Sequence, residues 1–247
     1  MARYVVTGGC GFIGSQLTKK LIAQNHEVWI IDDMSNGCLV HPNATLIRQD
    51  IAQHETLQGL LNGMDGCFHL AAIPSVDIAM AEWQAAHATN LQGSLNVFKA
   101  AIEAGNIPVV YASSCAVYGQ ETTMPLCETN VAKPISAYGC DKLSTEFNAF
   151  FLANGYALPS VGLRLFNVYG PYQSPGSPYA GVITRFIEQM LHHKPLEIFG
   201  DGEQTRDYVF IDDVVDAFIH AMNQLKTGAE VYNVCTGPPI SLNPFID

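Results

Sequence analysis

Basic residues are scarce in this chain. Its 247 residues include 12 Lys and Arg against 23 Asp and Glu, a formal net charge of −11 at pH 7. A general nucleic-acid or membrane-surface binder needs a basic face, so both partner classes are excluded. An anionic ligand must instead be held by local dipoles and a few placed cations. Charged residues of either sign make up only 14%, against 48% hydrophobic. That balance excludes global disorder and leaves apolar side chains for a substantial core. No apolar run is long enough to cross a bilayer. The opening Met1-Ala2-Arg3-Tyr4-Val5-Val6 runs into a strand pattern and does not read as a secretion signal. The seven cysteines are scattered, odd in number and without a C-x-x-C, which reads as reduced thiols in a cytoplasmic protein. His192 and His193 are adjacent with no third ligand near in sequence, so no metal site is expected. Repeats and low-complexity segments are also missing.

What is present is an alternation of short apolar strands and helical patterns. Strands are expected at Arg3 to Thr7, Glu27 to Ile31, Ala44 to Arg48, Cys67 to Leu70, Ile107 to Ser113 and Leu158 to Leu165. Helices are expected at Phe12 to Gln24, Glu55 to Leu61, Trp83 to Ala104 and Ser136 to Ala153. This order implies an α/β fold, a Rossmann-like, doubly wound parallel sheet covered on both faces. After Phe166 the character changes. A Pro-, Gly- and Ser-rich stretch from Gly170 to Pro178 precedes a helix at Val182 to His192, strands near Leu196 to Phe199 and Arg206 to Phe210, a helix at Asp213 to Gln224 and a strand at Val231 to Val234. The expected division is 1–166 as a dinucleotide-binding domain and 167–247 as a smaller substrate lobe, with the chain crossing between them.

Thr7-Gly8-Gly9-Cys10-Gly11-Phe12-Ile13-Gly14 lies between the first strand and the first helix. Glycines at 8, 11 and 14 suit a tight turn, a close approach to pyrophosphate and close helix–strand packing. The helix N-terminus at Phe12, Ile13 and Gly14 would then face the phosphates. Asp32 ends the second strand, where an acid binds a ribose 2′-hydroxyl and repels a 2′-phosphate, so NAD is expected over NADP. Asp33 is the competing candidate. Asp50 and Ile51 follow the third strand and are candidates to bracket the adenine, with helix capping by Asp50 as the alternative. Leu70, Ala71 and Ala72 end the fourth strand with small residues that admit the cofactor closely.

Tyr138 and Lys142 stand four apart on a helical pattern and share a face. A phenol of pKa about 10 becomes a base near neutrality only beside positive charge. Lys142 and a bound nicotinamide cation would supply it, and Ser114, ending a strand, would hydrogen-bond the same substrate hydroxyl. These groups suit hydride transfer at a carbinol carbon.

Together with Ser113 to Gly119, Arg164-Leu165-Phe166-Asn167-Val168-Tyr169-Gly170-Pro171 and Gly200-Asp201-Gly202 through Arg206-Asp207-Tyr208, these motifs resemble the extended short-chain dehydrogenase/reductase family, specifically its NAD-dependent nucleotide-sugar epimerases and dehydratases. The resemblance runs from Ala2 to about Ser241. It implies Tyr138 as acid/base, Lys142 on the nicotinamide ribose and Ser114 in the family's Ser/Thr position. It places Asn90 at a family Asn of structural role, Asn167 and Arg206 on the sugar diphosphate, and Tyr179 to Val182 beside a uracil. Arg164 is expected to support the fold. The 4,6-dehydratases carry Asp-Glu where Cys115-Ala116 stand, and the related decarboxylases a Glu in this segment. What the resemblance leaves is epimerisation of a UDP-sugar at C4 through a 4-keto form. A non-catalytic NAD-binding protein and a one-way nucleotide-sugar oxidoreductase remain open. The resemblance further implies a homodimer through a four-helix bundle, built from Trp83 to Ala104 and Ser136 to Ala153. It also implies relatives that continue beyond residue 247, so that the substrate lobe is expected to be incomplete.

Overall fold

Val5 and Val6 are adjacent in the first strand and both fully buried, one on each side of the sheet. Burial on both faces requires helices above and below, the condition for a parallel sheet. The computed structural model describes residues 1–74, 76–121, 123–173, 181–198 and 200–243, with 76–78 described for backbone only. In chain order the elements are β1 (Arg3–Thr7), α1 (Phe12–Ala23), β2 (Glu27–Asp32), β3 (Thr45–Arg48), β4 (Gly66–His69), α2 (Val76–Ala81), α3 (Trp83–His87), α4 (Gly93–Glu103), β5 (Val109–Ser114), α5 (Ala137–Tyr156), β6 (Ser160–Leu165), β7 (Asn167–Tyr169), α6 (Val182–Leu191), β8 (Tyr208–Phe210), α7 (Ile211–Gln224) and β9 (Ala229–Val234).

Seven strands form one sheet in the order β3-β2-β1-β4-β5-β6-β9, with every neighbouring pair parallel. One core, containing Val6, Leu17, Ile30, Phe68 and Phe218, lies on the side of α1 and α7. The other, containing Val5, Ile31, Phe98, Tyr111 and Leu158, lies on the side of α4 and α5. The order reverses between β1 and β4. Ligands of open parallel sheets bind at the carboxyl ends of strands at such a reversal. No helix among the described residues is long and apolar enough to cross a membrane.

Four expectations are corrected. The strand at Val231 to Val234, assigned to the smaller lobe, is β9 and closes the edge of the main sheet against β6, with Gly162 opposite Val231. Its apolar pattern identifies a strand but not the edge it joins. The expected helix at Glu55 to Leu61 is a single 3₁₀ turn at His54–Thr56 followed by turns; Gly59 and Gly63 take positive φ there. The long helix from Trp83 is broken by a π-helical stretch at Ala88–Gln92. There the Ser94 hydroxyl bonds the Asn90 carbonyl at 2.5 Å, offering the backbone an alternative to its regular ladder. Residues 196–198 form no strand, and Phe199 lies outside the described residues. What stands apart from the main sheet is the parallel pair β7–β8 with α6.

Candidate active site

Gly8 follows β1 with φ of 70°, and a Cβ there would stand 2.6 Å from the Ala71 nitrogen. A Cβ on Gly14 would stand 2.2 Å from the Gly8 carbonyl oxygen. The loop therefore admits no side chain at either position and leaves a backbone-lined cradle, the form a pyrophosphate requires. Gly11 caps α1 with extended backbone, and no side chain caps it. The first N–H to bond back is that of Ser15, to the Gly11 oxygen at 3.0 Å. The N–H groups of Phe12, Ile13 and Gly14 have no acceptor within the helix, and no acid stands in its first turn. The positive end of α1 is thus open to an anion.

Asp32 is buried at the end of β2. Its carboxylate accepts the Cys10 N–H at 3.0 Å and the Met34 N–H at 2.8 Å, tying the glycine loop to β2. A carboxylate has about four lone-pair sites, so two remain for a ribose. Asp33 is exposed and spends one oxygen on the Ser35 N–H and hydroxyl. Asp50 accepts the Ala52 N–H at 2.9 Å in a local turn; it caps no helix, since Gln53 is the N-cap position of the 3₁₀ turn at His54–Thr56. The Ile51 side chain is buried in the core beneath α4, while its carbonyl accepts from Asn96 at 2.9 Å. Leu70, Ala71 and Ala72 are half-buried at the end of β4.

A hydrogen-bonded chain that sequence reading missed fixes the floor of this cradle. The Ser94 hydroxyl donates to the Asn90 carbonyl, so it accepts from His69 Nε2 at 2.9 Å. His69 Nδ1 is then an acceptor and takes the Thr7 hydroxyl proton at 2.7 Å. The Thr7 oxygen in turn accepts the Ala71 N–H at 3.3 Å. Every proton in the chain is thereby placed, and His69 is the neutral Nε2–H tautomer. Burial pushes its pKa down to about 3, with the nearby Lys142 adding to the effect. Asn90, fully buried, brackets the loop with its amide on the Ile73 N–H at 2.7 Å and carbonyl at 3.1 Å. The only sequence signal for this chain was a histidine inside an apolar strand.

Tyr138, Lys142 and Ser114 come together at the carboxyl end of β5. Ser136 caps α5 by accepting the Gly139 N–H at 3.1 Å, which starts the helix with Tyr138 in its first turn. The Ser114 oxygen accepts the Ala116 N–H at 3.1 Å, leaving its own proton free beside the Tyr138 phenol, whose charged form it favours. Lys142 is 2% exposed, and its Nζ lies 5.7 Å from the Tyr138 ring centre. The electrostatics of the protein's own groups are set first by burial. Burial pushes the Tyr138 phenol up to about 12; the Ser114 hydrogen bond opposes this, and Cys115 adds to the rise. Burial likewise brings Lys142 down to about 8, against the pull of Asp141 and Glu146. Desolvation outweighs the Ser114 hydroxyl, so the phenol stays protonated at neutral pH. Burial also pushes the Cys115 thiol up to about 11. Cys115 is therefore neutral near pH 7, and neither it nor Ala116 offers a carboxylate.

Beyond β6 a cleft of about 290 Å³ is lined by Asn167, Gln173, Gly181, Val182, Glu197 and Arg206, among others. The Arg206 backbone is held by a two-way bridge to Ile240. Its guanidinium donates to the Thr205 carbonyl at 2.8 Å and forms no ion pair among the described residues. The competing partners are engaged elsewhere: Asp207 accepts from Thr236 and Gly237, and Asp201 from the Glu203 N–H. Asn167 donates from its amide to the Asp207 carbonyl at 2.8 Å, and its side-chain oxygen remains an acceptor beside the cleft. Of the expected uracil-side segment, Gly181 and Val182 line the cleft; Tyr179 and Ala180 lie outside the described residues.

The family model described as NAD dependent epimerase/dehydratase family matches residues 4–235. A UDP-glucose 4-epimerase of Mycolicibacterium smegmatis is 37% identical, over 95% of this chain and 77% of that protein. A UDP-N-acetyl-alpha-D-glucosaminuronate decarboxylase of Bacillus cytotoxicus is 36% identical, over 94% of this chain and 74% of that one. Among solved structures, the UDP-glucose 4-epimerase of Thermotoga maritima with UDP-glucose superposes with a TM-score of 0.94 at 38% identity, covering 98% of this chain and 80% of its own.

Proposed function

From the premise that the chain belongs to the NAD dependent epimerase/dehydratase family, we propose that it epimerises a UDP-sugar at C4. The observation that carries this reading is the set of groups at the end of β5. Tyr138, Ser114 and Lys142 converge there, while the next two positions hold a protonated thiol and a methyl group. Proton transfer at a carbinol oxygen is provided for; the carboxylates for elimination are not. The cofactor NAD fits the cradle at Gly8 and Gly14, the open end of α1, and the Asp32 carboxylate. When bound, NAD supplies a reversible hydride acceptor and a positively charged ring.

The remaining work falls to side chains. Tyr138 withdraws the C4 hydroxyl proton and later returns it to the same oxygen. Ser114 holds that oxygen with its free proton. Lys142, charged below about pH 8, stabilises the tyrosinate. Arg206, in the cleft lining and without an ion pair among the described residues, clamps the diphosphate through bidentate geometry, with Asn167 beside it. Residues 167–208 thus provide the sugar-nucleotide side. The seven free cysteines fit a reducing compartment such as the cytoplasm.

The test is incubation with NAD and a panel of UDP-hexoses and UDP-N-acetylhexosamines, followed by proton NMR of the sugar. The expected result is inversion at C4, with Arg206→Met raising KM about 10–100-fold, the loss of a charge-assisted contact. NAD bound without inversion of any sugar would favour a non-catalytic NAD-binding protein instead. Net accumulation of NADH would favour a one-way oxidoreductase.

We also infer a homodimer. α5 packs against α2 and α3, and Met80, Trp83, Phe147 and Phe151 on these helices are 57–64% exposed. A second copy meeting this face would bury them in a four-helix bundle. Light scattering at micromolar concentration should give twice the chain mass; a monomer mass would overturn the inference.

A further inference from the structure

Tyr138, Lys142 and Glu146 follow one another at four-residue intervals along α5, so one face of the helix carries all three. Glu146 has no part in the proton transfer, yet it is 1% exposed. Its Oε1 accepts from the Ser113 hydroxyl at 2.5 Å and from Arg164 Nε at 2.9 Å. Its Oε2 accepts from Arg164 Nη2 at 2.7 Å. Ser113 immediately precedes Ser114, and it stands opposite Arg164 in the β5–β6 register. Arg164 also donates to the Tyr118 hydroxyl at 2.9 Å, which donates to Asn233 of β9 at 2.7 Å. One carboxylate therefore fastens the helix bearing Tyr138 and Lys142 to the strand bearing Ser114. A buried ion pair is costly to desolvate and is weak evidence for stability by itself, so its position beside Lys142 suggests another use.

Resting on the reading of Tyr138 and Lys142 as the reacting pair, we propose that Glu146 is a positioning residue. Its carboxylate keeps Lys142 protonated beside Tyr138 and, through Ser113 and Arg164, holds α5 in register with the end of β5. The groups around Lys142 are few. Asp141 and Glu146 on α5 favour its charge. His69 on β4 is neutral, and Arg164 on β6 acts through its pairing with Glu146. His87 on α3 engages Asp141 at 2.7 Å. Burial brings Lys142 down to about 8, and Asp141 and Glu146 are the carboxylates that oppose this.

The test is a pH titration of Lys142 by NMR in the NAD-bound protein with carbon-13-labelled lysine, the resonance being assigned by its absence in Lys142→Met. Glu146→Gln removes the negative charge and leaves Arg164 unopposed. Both changes push in one direction, and the Lys142 midpoint should fall by about 1 pH unit or more. The alkaline limb of turnover should move down by the same interval. Because Glu146→Gln strands a buried guanidinium, the double variant Glu146→Gln/Arg164→Met provides a second folded test, also with a lowered midpoint. An unchanged midpoint in either folded variant overturns the proposal. The titration needs no turnover, so it stands even if no UDP-sugar is epimerised.

Discussion

A Tyr138→Phe variant loses roughly 10²–10⁴ in turnover, the range for removal of a general acid–base group, and retains its affinity for NAD. The substitution deletes one oxygen from a half-buried ring. The Ser114 oxygen keeps its Ala116 N–H, and the glycine cradle lies on other elements. The loss therefore belongs to kcat, measurable by NMR of sugar inversion, while calorimetry of NAD binding serves as the control. The sign of the pH dependence follows from the same group. Burial pushes the phenol up to about 12, so the base form is scarce in both the acid and the neutral range and turnover rises with pH as it grows. On the alkaline side Lys142 loses its charge through about 8, and with it the support for tyrosinate. The two ionisations are coupled, so a measured profile reports the pair. Undiminished turnover by the Phe variant would remove Tyr138 from the mechanism.

Gly14→Val abolishes or severely weakens NAD binding by a different route. The first carbon of any side chain at 14 would stand 2.2 Å from the Gly8 oxygen and 2.8 Å from the Gly9 Cα. Both obstacles are backbone, and the Gly8 turn is itself pinned against Ala71. Relief requires α1 to move off the loop, which also withdraws its free N–H groups from the pyrophosphate. Overpacking of this kind costs about 1–3 kcal/mol of folding stability, equivalent to a fall of a few degrees in Tm for a chain of this size. Cofactor affinity should drop at least about tenfold, because the helix end and the cradle are lost together. Unchanged NAD affinity by calorimetry, with an unshifted Tm, would show that the loop does not hold the cofactor as described.

Some features were legible because local chemistry dictates them. Glycines at 8, 11 and 14 between a strand and a helix have few other uses. Asp32 at the end of β2 and the Tyr138–Lys142 spacing likewise needed no coordinates to be noticed. Glu146 was within reach of the same reasoning, since it continues that spacing by one more turn. Other features had no local signal. His69 reads as a polar residue in an apolar strand until Thr7 and Ser94 are seen to flank it. The break at Ala88–Gln92 depends on where the Ser94 hydroxyl points. That Arg206 forms no ion pair among the described residues goes with Asp207 being engaged with Thr236 and Gly237, some thirty residues away.

The sequence by itself determined the parallel sheet with its glycine loop and the one-turn spacing of Tyr138 and Lys142. Hydrophobic period, glycine placement and helical spacing are short-range properties, and they are written in consecutive residues. Tertiary structure alone decided that β9 closes the main sheet, that Asp32 anchors the glycine loop, and that burial sets the Tyr138 proton. Each of these depends on groups brought together from distant parts of the chain and on the water they exclude. Desolvation is a property of the packed interior, and no spacing of residues along the chain encodes its magnitude.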